Sequence, residues 1–236
     1  MAISRNNNAN NGTLSNTGSA TTLTTSWDTS LLKLGDRVFC FLSSIATNPT
    51  LTAPVGGGWT QLGSLYKPTT TLATAVFYKD YVAEAASTTH TWTFSAAGRC
   101  IAELQAYSGC DLSQAPLSGN NATLTSGVSV SGSSAVTDGD WVLNLAAGRQ
   151  SPGDAAAITW ASTTGTDNES FDLRASATST TPQLTAVFTD VNMAQPTGTT
   201  TRTLTASKTL AEAHIWAVRL RAAAAAAGWR VGMPVR

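Results

Sequence analysis

The stretch Thr88-Thr89-His90-Thr91-Trp92-Thr93-Phe94 alternates, from Thr89 on, a hydroxyl residue with an aromatic one. Period two belongs to a strand with one packed and one wet face, so His90, Trp92 and Phe94 are expected to point inward together. A looser copy, Thr200-Thr201-Arg202-Thr203-Leu204-Thr205, stands in the second half. Similar landmarks flank both. Gly35-Asp36-Arg37-Val38-Phe39 and Ala75-Val76-Phe77 precede the first copy, and Ala102-Glu103 leading to Tyr107 follows it. Gly139-Asp140-Trp141-Val142-Leu143 and Ala186-Val187-Phe188 precede the second, and Ala211-Glu212 leading to Trp216 follows. None of these blocks carries a nucleophile, a metal cluster or a phosphate loop. What recurs is a packing pattern.

Working outward, short apolar or alternating runs predict strands near 37–46, 58–66, 73–83, 89–95 and 99–108. In the second half they fall near 140–147, 157–162, 170–177, 184–191, 200–206 and 211–221. Turn chemistry separates them, as at Asn48-Pro49, Pro54 to Gly58, Asp138-Gly139 and Pro196-Thr197-Gly198. The expected fold is all-β: a two-sheet, jelly-roll-like β-sandwich over 13–221, built from two pseudo-repeated halves at about 30–110 and 135–221. Either the halves interleave in one sandwich or each closes its own. Interleaving is favoured, because each half alone is short of strands and neither has a marked linker. Residues 1–12 read as a flexible polar arm or an edge-adding strand. Residues 222–236 form an Ala-rich tail in which six alanines favour a helical turn that Gly228 would end.

Composition narrows the function. Charged residues make up 12% of the 236 and the formal net charge is zero, about half the charged fraction of an ordinary soluble domain. Neither nucleic acid nor a membrane surface is indicated as a partner. The N-terminal stretch lacks the apolar run of a signal peptide or a membrane span, so synthesis in the cytoplasm without ordinary export is expected. Cys40, within Val38-Phe39-Cys40-Phe41-Leu42, reads as a buried thiol. A Cys100–Cys110 disulfide would need the chain to fold back after Tyr107 and is not favoured.

Candidate chemistry is thin. Glu212, His214 and Trp216 share one face of a strand, and Glu212 could bond His214 across the two-residue spacing. No serine or cysteine is tied to the pair, and the first-half counterparts Glu103 and Gln105 suit a structural polar face. Gly56-Gly57-Gly58 lacks the Lys-Ser/Thr of a phosphate loop, and no acidic cluster has calcium-loop spacing. No catalytic, cofactor-binding or metal-binding residue is therefore expected. Trp59, Trp160 and Trp216 are the candidate glycan-stacking aromatics. Trp229, Val231, Met233 and Val235 are candidate assembly contacts, being apolar without local neighbours to bury them.

One further set of motifs carries a resemblance: Gly35-Asp36-Arg37-Val38, Pro54 through Trp59-Thr60-Gln61-Leu62, Val76-Phe77-Tyr78-Lys79, Thr91-Trp92-Thr93-Phe94 and Ala106-Tyr107-Ser108-Gly109-Cys110-Asp111. Together they resemble a β-sandwich module of tailed bacteriophages, found in minor tail and capsid-surface proteins and in some secreted bacterial proteins. The resemblance spans roughly residues 30–221. It implies a non-enzymatic virion structural protein without a cofactor, most simply a capsid-decoration protein that binds the assembled particle. Its partners would be major capsid or tail proteins and further copies of itself as a homo-oligomer. The alternatives are a minor tail protein, a carbohydrate-binding module that takes surface glycans on the host, and a hydrolase centred on His214 or paired acids.

Overall fold

The computed structural model describes residues 2–6, 13–26, 32–67, 71–82, 89–119, 121–150, 158–162, 183–190 and 194–224. The first half contributes β1 (Ser4–Arg5), β2 (Thr13–Ser26), β3 (Arg37–Ile45), β4 (Leu51–Thr52), β5 (Thr60–Tyr66), β6 (Leu72–Asp80) and β7 (Thr89–Ser108). The second contributes β8 (Leu117–Ser118), β9 (Ala122–Leu124), β10 (Gly127–Val136), β11 (Trp141–Gln150), β12 (Trp160–Ser162), β13 (Gln183–Asp190), β14 (Gly198–Leu210) and β15 (Glu212–Leu220). The described residues hold no helix. The chain is all-β, with sheets packed face to face as in a β-sandwich.

The two halves build separate ladders. In the first, β7, β3, β6 and β5 lie side by side, with β1, β2 and β4 also on β7. In the second, β13, β11 and β15 lie side by side, β8 and β9 add to β15, and β10 and β12 flank β14. No named strand of one half is hydrogen-bonded into a sheet of the other. Each half thus closes its own sheets, the reverse of the interleaving favoured from sequence. The strands that make this feasible are the N-terminal ones: β1 and β2 in the first half, and β8, β9 and β10 in the second.

Side-chain alternation then builds three cores. Phe39, Phe41 and Ile45 of β3 meet Trp141, Leu143, Leu145 and Ala147 of β11 in a central core shared by both halves. The opposite face of β3 gives Val38, Cys40 and Leu42 to a core completed by Leu23, Leu51, Trp92 and Phe94. Ala146 of β11 faces a third core with Trp160, Leu204, Leu210 and Ile215. The result is four layers, two inner ladders back to back and an outer ladder over each, built from three sheets because both layers of the first half belong to one seven-stranded sheet. Burying each large apolar side chain contributes about 1.5–3 kcal/mol, so the three cores dominate stability.

β7 links two layers. Its residues 99–107 pair with β3, its residues 93–94 pair with β4 in the outer layer, and β2 follows it through both layers from Thr89 to Glu103. Gly98 stands at the crossing, where a Cβ would lie 2.3 Å from the Ile45 carbonyl oxygen. The two strands expected at 89–95 and 99–108 are thus one continuous strand. His90, Trp92 and Phe94 are buried and Thr89, Thr91, Thr93 and Ser95 exposed, as the alternation predicts. The N-terminal arm acts as an edge strand over Ser4 and Arg5, which face Ser108 and Tyr107. Ala222 is extended, bridging Cys110, so the expected helical turn does not start there. The strand expected at 170–177 lies outside the described residues, as do residues 225–236.

Candidate functional site

The three tryptophans proposed for glycan stacking fall in three different places. Trp160 is 5% exposed and Trp216 is 2% exposed, so neither offers a ring face to a sugar. Each gives its indole N–H to a buried threonine: Trp160 to Thr185 at 2.9 Å and Trp216 to Thr74 at 2.9 Å. Trp92 does the same with Thr25 at 3.1 Å. Burying an indole requires a partner for its one donor, and a threonine on a strand packed against it supplies it at little cost in volume. Trp59 is half-buried against the first outer core. It donates to His90 Nδ1 at 3.3 Å, and the Lys79 ammonium sits 5.2 Å from its ring centre. A coplanar exposed row of these three does not exist.

The second candidate is the face of β15 carrying Glu212, His214 and Trp216, which are all buried in the central region between the halves. The shared face is as expected from sequence, but the Glu212–His214 bond is not formed. Glu212 accepts from Thr71 at 3.3 Å and lies 3.7 Å from Arg149 Nε. His214 Nδ1 instead meets Thr74 Oγ1 at 3.0 Å, and Tyr66 stacks nearly parallel on its ring. Thr71, Thr74 and Tyr66 belong to the first half, so this cluster ties the two halves together. Burial drives the His214 pKa down to about 3, which keeps the imidazole neutral. Burial, and then the Glu212 charge, push the Tyr66 phenol up to about 12.

A hydroxyl bonded to an imidazole is half of a nucleophile–base pair. Here the Thr74 hydroxyl is fully enclosed and already accepts the Trp216 N–H, while His214 Nε2 has no hydrogen-bond partner to orient it. The pair has neither a substrate path nor the third group of a triad. Asp36 and Asp140, which open β3 and β11, are also absorbed locally. Asp36 accepts from the Lys33 amide, Asn6 and Ser108. Asp140 accepts from the Thr137 amide and hydroxyl, Arg219 and the Ala222 amide. Among the described residues no group of His, Cys, Asp and Glu could hold a metal ion, and Cys40, Cys100 and Cys110 are free buried thiols.

Among the described residues, the outer sheets present hydroxyl-rich faces. On the outer sheet of the first half Thr22, Thr24, Thr52, Thr89, Thr91, Thr93 and Ser95 are exposed, with Thr24 and Thr91 bonded across strands at 3.0 Å. On the second half Ser129 meets Thr205 at 2.9 Å and Ser131 meets Thr203 at 2.5 Å. A groove of about 290 Å³ lies between β8 and β10, lined by Leu117, Ser118, Gly119, Ser133, Ser134, Ala135 and Arg219. Its one charged group, Arg219, is engaged with Asp140 and Thr137. Sequence reasoning missed these paired faces as a site because each lone Thr-x-Thr run only signals a strand. The assembly candidates Trp229, Val231, Met233 and Val235 lie outside the described residues. No protein-family model matches the chain, and no match is found among curated proteins or solved structures.

Proposed function

We propose that the chain is a non-enzymatic structural protein of a bacteriophage particle, one that coats the capsid surface. One observation carries this reading. The side chains that would do chemistry are spent on packing, with His214, Glu212, Trp160 and Trp216 all buried, while the outer sheets present paired hydroxyls. Such faces suit close apposition of many copies, since few charges repel at short range. Binding would come from burial of complementary surface at repeated positions on the shell. The phage setting rests on the resemblance across residues 30–221.

A minor tail protein would use the same surfaces. Immunogold labelling of intact particles separates the two, since decoration places label over the whole head and a minor tail protein confines it to the tail. Label on neither removes both. Trp59, the one of the three candidate tryptophans that is only half-buried, favours glycan binding as a second reading, and a glycan array with wild type and Trp59→Ala tests it.

A further inference from the structure

β1 and β2 lie in line along one edge of β7. Ser4 and Arg5 face Ser108 and Tyr107, and the Asn6 amide donates to the Ala106 carbonyl at 2.9 Å. The ladder resumes with Thr13 facing Glu103, while β3 holds the opposite edge over residues 99–107. From Ala106 to Glu103 the edge advances by three residues, about 10 Å at the rise of a strand. The chain takes seven steps, Asn6 to Thr13, to cover that gap, and seven steps reach up to about 25 Å. Their sequence, Asn7-Asn8-Ala9-Asn10-Asn11-Gly12, is rich in turn formers and poor in strand formers. The arm thus carries far more connecting chain than its own slot requires.

The slot that receives the arm is built by both halves. Ile3 is buried in the central core. The Ala2 carbonyl passes so close to Gly109 that a Cβ there would lie 2.3 Å from its oxygen. Asn6 Nδ2 donates to Asp36 at 3.1 Å, and Arg5 Nη1 lies 3.8 Å from Asp190 of the second half. The hold is therefore specific but small, resting on one apolar side chain, a short ladder and one ion pair. A segment held this way releases locally at a fraction of the cost of global unfolding.

We propose that residues 2–6 exchange between copies, the arm of one chain docking on the Ala106–Gly109 edge of a second. The second copy's slot fits, because exchange re-forms every contact that it breaks. The spare chain between Asn6 and Thr13 supplies the reach. In dilute solution the tethered arm prevails, since a short connection holds it at an effective concentration in the millimolar range. Copies packed at a comparable concentration let a neighbour's arm compete, and reciprocal exchange then links them. A dimer made by pairing two β7 edges directly is the weaker alternative, because β1 already covers this edge and would have to leave it without replacement. The exchange belongs to the chain alone and does not rest on the particle reading.

The test mixes two full chains at about 1 mM, the concentration scale of the tether, one carrying Ser4→Cys and the other Ser108→Cys. These residues face each other in the antiparallel ladder, within reach of a disulfide. The native thiols Cys40, Cys100 and Cys110 are buried. Exchange predicts that mild oxidation yields the mixed covalent dimer in about tenfold or greater excess over the two like-chain dimers, since docking raises the local thiol concentration. Ile3→Asp in the Ser4→Cys chain should remove the excess, with far-UV circular dichroism confirming that the variant is folded. An excess of wild-type chain, which competes for both arm and slot, should suppress it as well. A chain carrying both cysteines, oxidised at micromolar concentration, should close within itself, and failure to do so overturns the arm's placement and the proposal with it. Absence of the mixed dimer, or a statistical mixture of the three dimers that wild-type chain leaves unchanged, also overturns the proposal.

Discussion

Tyr107 of the first half donates its phenolic hydrogen to the Asp190 carboxylate of the second across 2.7 Å, with both groups sealed from water. Burial, followed by the Asp190 charge, holds the Tyr107 pKa well above the usual range, so the donor persists at all ordinary pH. Arg5, 3.8 Å from Asp190, adds the compensating charge. The back-to-back packing of the halves is therefore polar at selected points, and those points set their relative position. Tyr107→Phe keeps the shape and removes the donor. The expected loss is about 1–3 kcal/mol in urea unfolding, and a loss below about 0.5 kcal/mol would show that the bond does not hold the halves.

His214 makes stability fall in mild acid. Its folded-state pKa of about 3 lies below the unfolded value of 6.5. Its contribution is therefore complete above pH 6.5 and drains away as pH falls from there towards 3. The full effect is on the order of several kcal/mol. Denaturation of wild type and His214→Gln between pH 5 and 7 isolates it, because most carboxylates titrate lower. Wild type should lose stability across this window with a steeper slope than the variant, and parallel slopes would contradict the assignment.

Gly35 and Gly139 occupy matching turns, at φ of +89° and +90°. Each precedes an aspartate whose carboxylate takes the amide three residues back. Alanine at either place forces a left-handed backbone on a residue with a Cβ, costing about 1–3 kcal/mol. Thermal or chemical unfolding of Gly35→Ala and Gly139→Ala should give similar losses. A large disparity would mean that the two turns are not equivalent in energy.

The thiols should be inert in the folded protein. Burial pushes Cys40 well up, Cys100 to about 11 and Cys110 to about 12, so little thiolate is present to attack. Ellman's reagent should titrate three thiols promptly in denaturant and none promptly in native buffer. Fast reaction of any one in the native state would place it at the surface.

Local pattern carried most of the strand reading. The inward set His90, Trp92 and Phe94 was legible because strand alternation needs no partner to be read. Pairing was not legible. Ala75-Val76-Phe77 and Ala186-Val187-Phe188 look alike, yet Phe39 faces Tyr78 where Leu143 faces Asp190, which sets Phe188 against Val76 and not Phe77. That one-residue slip exchanges the faces: Phe77 packs in the first outer core and Phe188 in the central one. Likewise Phe41 faces Glu103 where Leu145 faces Trp216, so Glu103 is not the ladder equivalent of Glu212. The resemblance of motifs overstated residue-level correspondence because any two alternating runs match in phase. The His214 contacts were also hidden, since Tyr66, Thr71 and Thr74 come from β5, the residue just before β6, and β6, far away in the chain.

The particle role is tested most directly by mixing purified protein with phage particles that lack it and measuring co-sedimentation, with and without residues 225–236. A capsid-coating protein predicts saturable binding at a fixed number of copies per particle, weakened when 225–236 is removed. Absence of binding to both heads and tails, by a chain shown to be folded, would contradict the proposal.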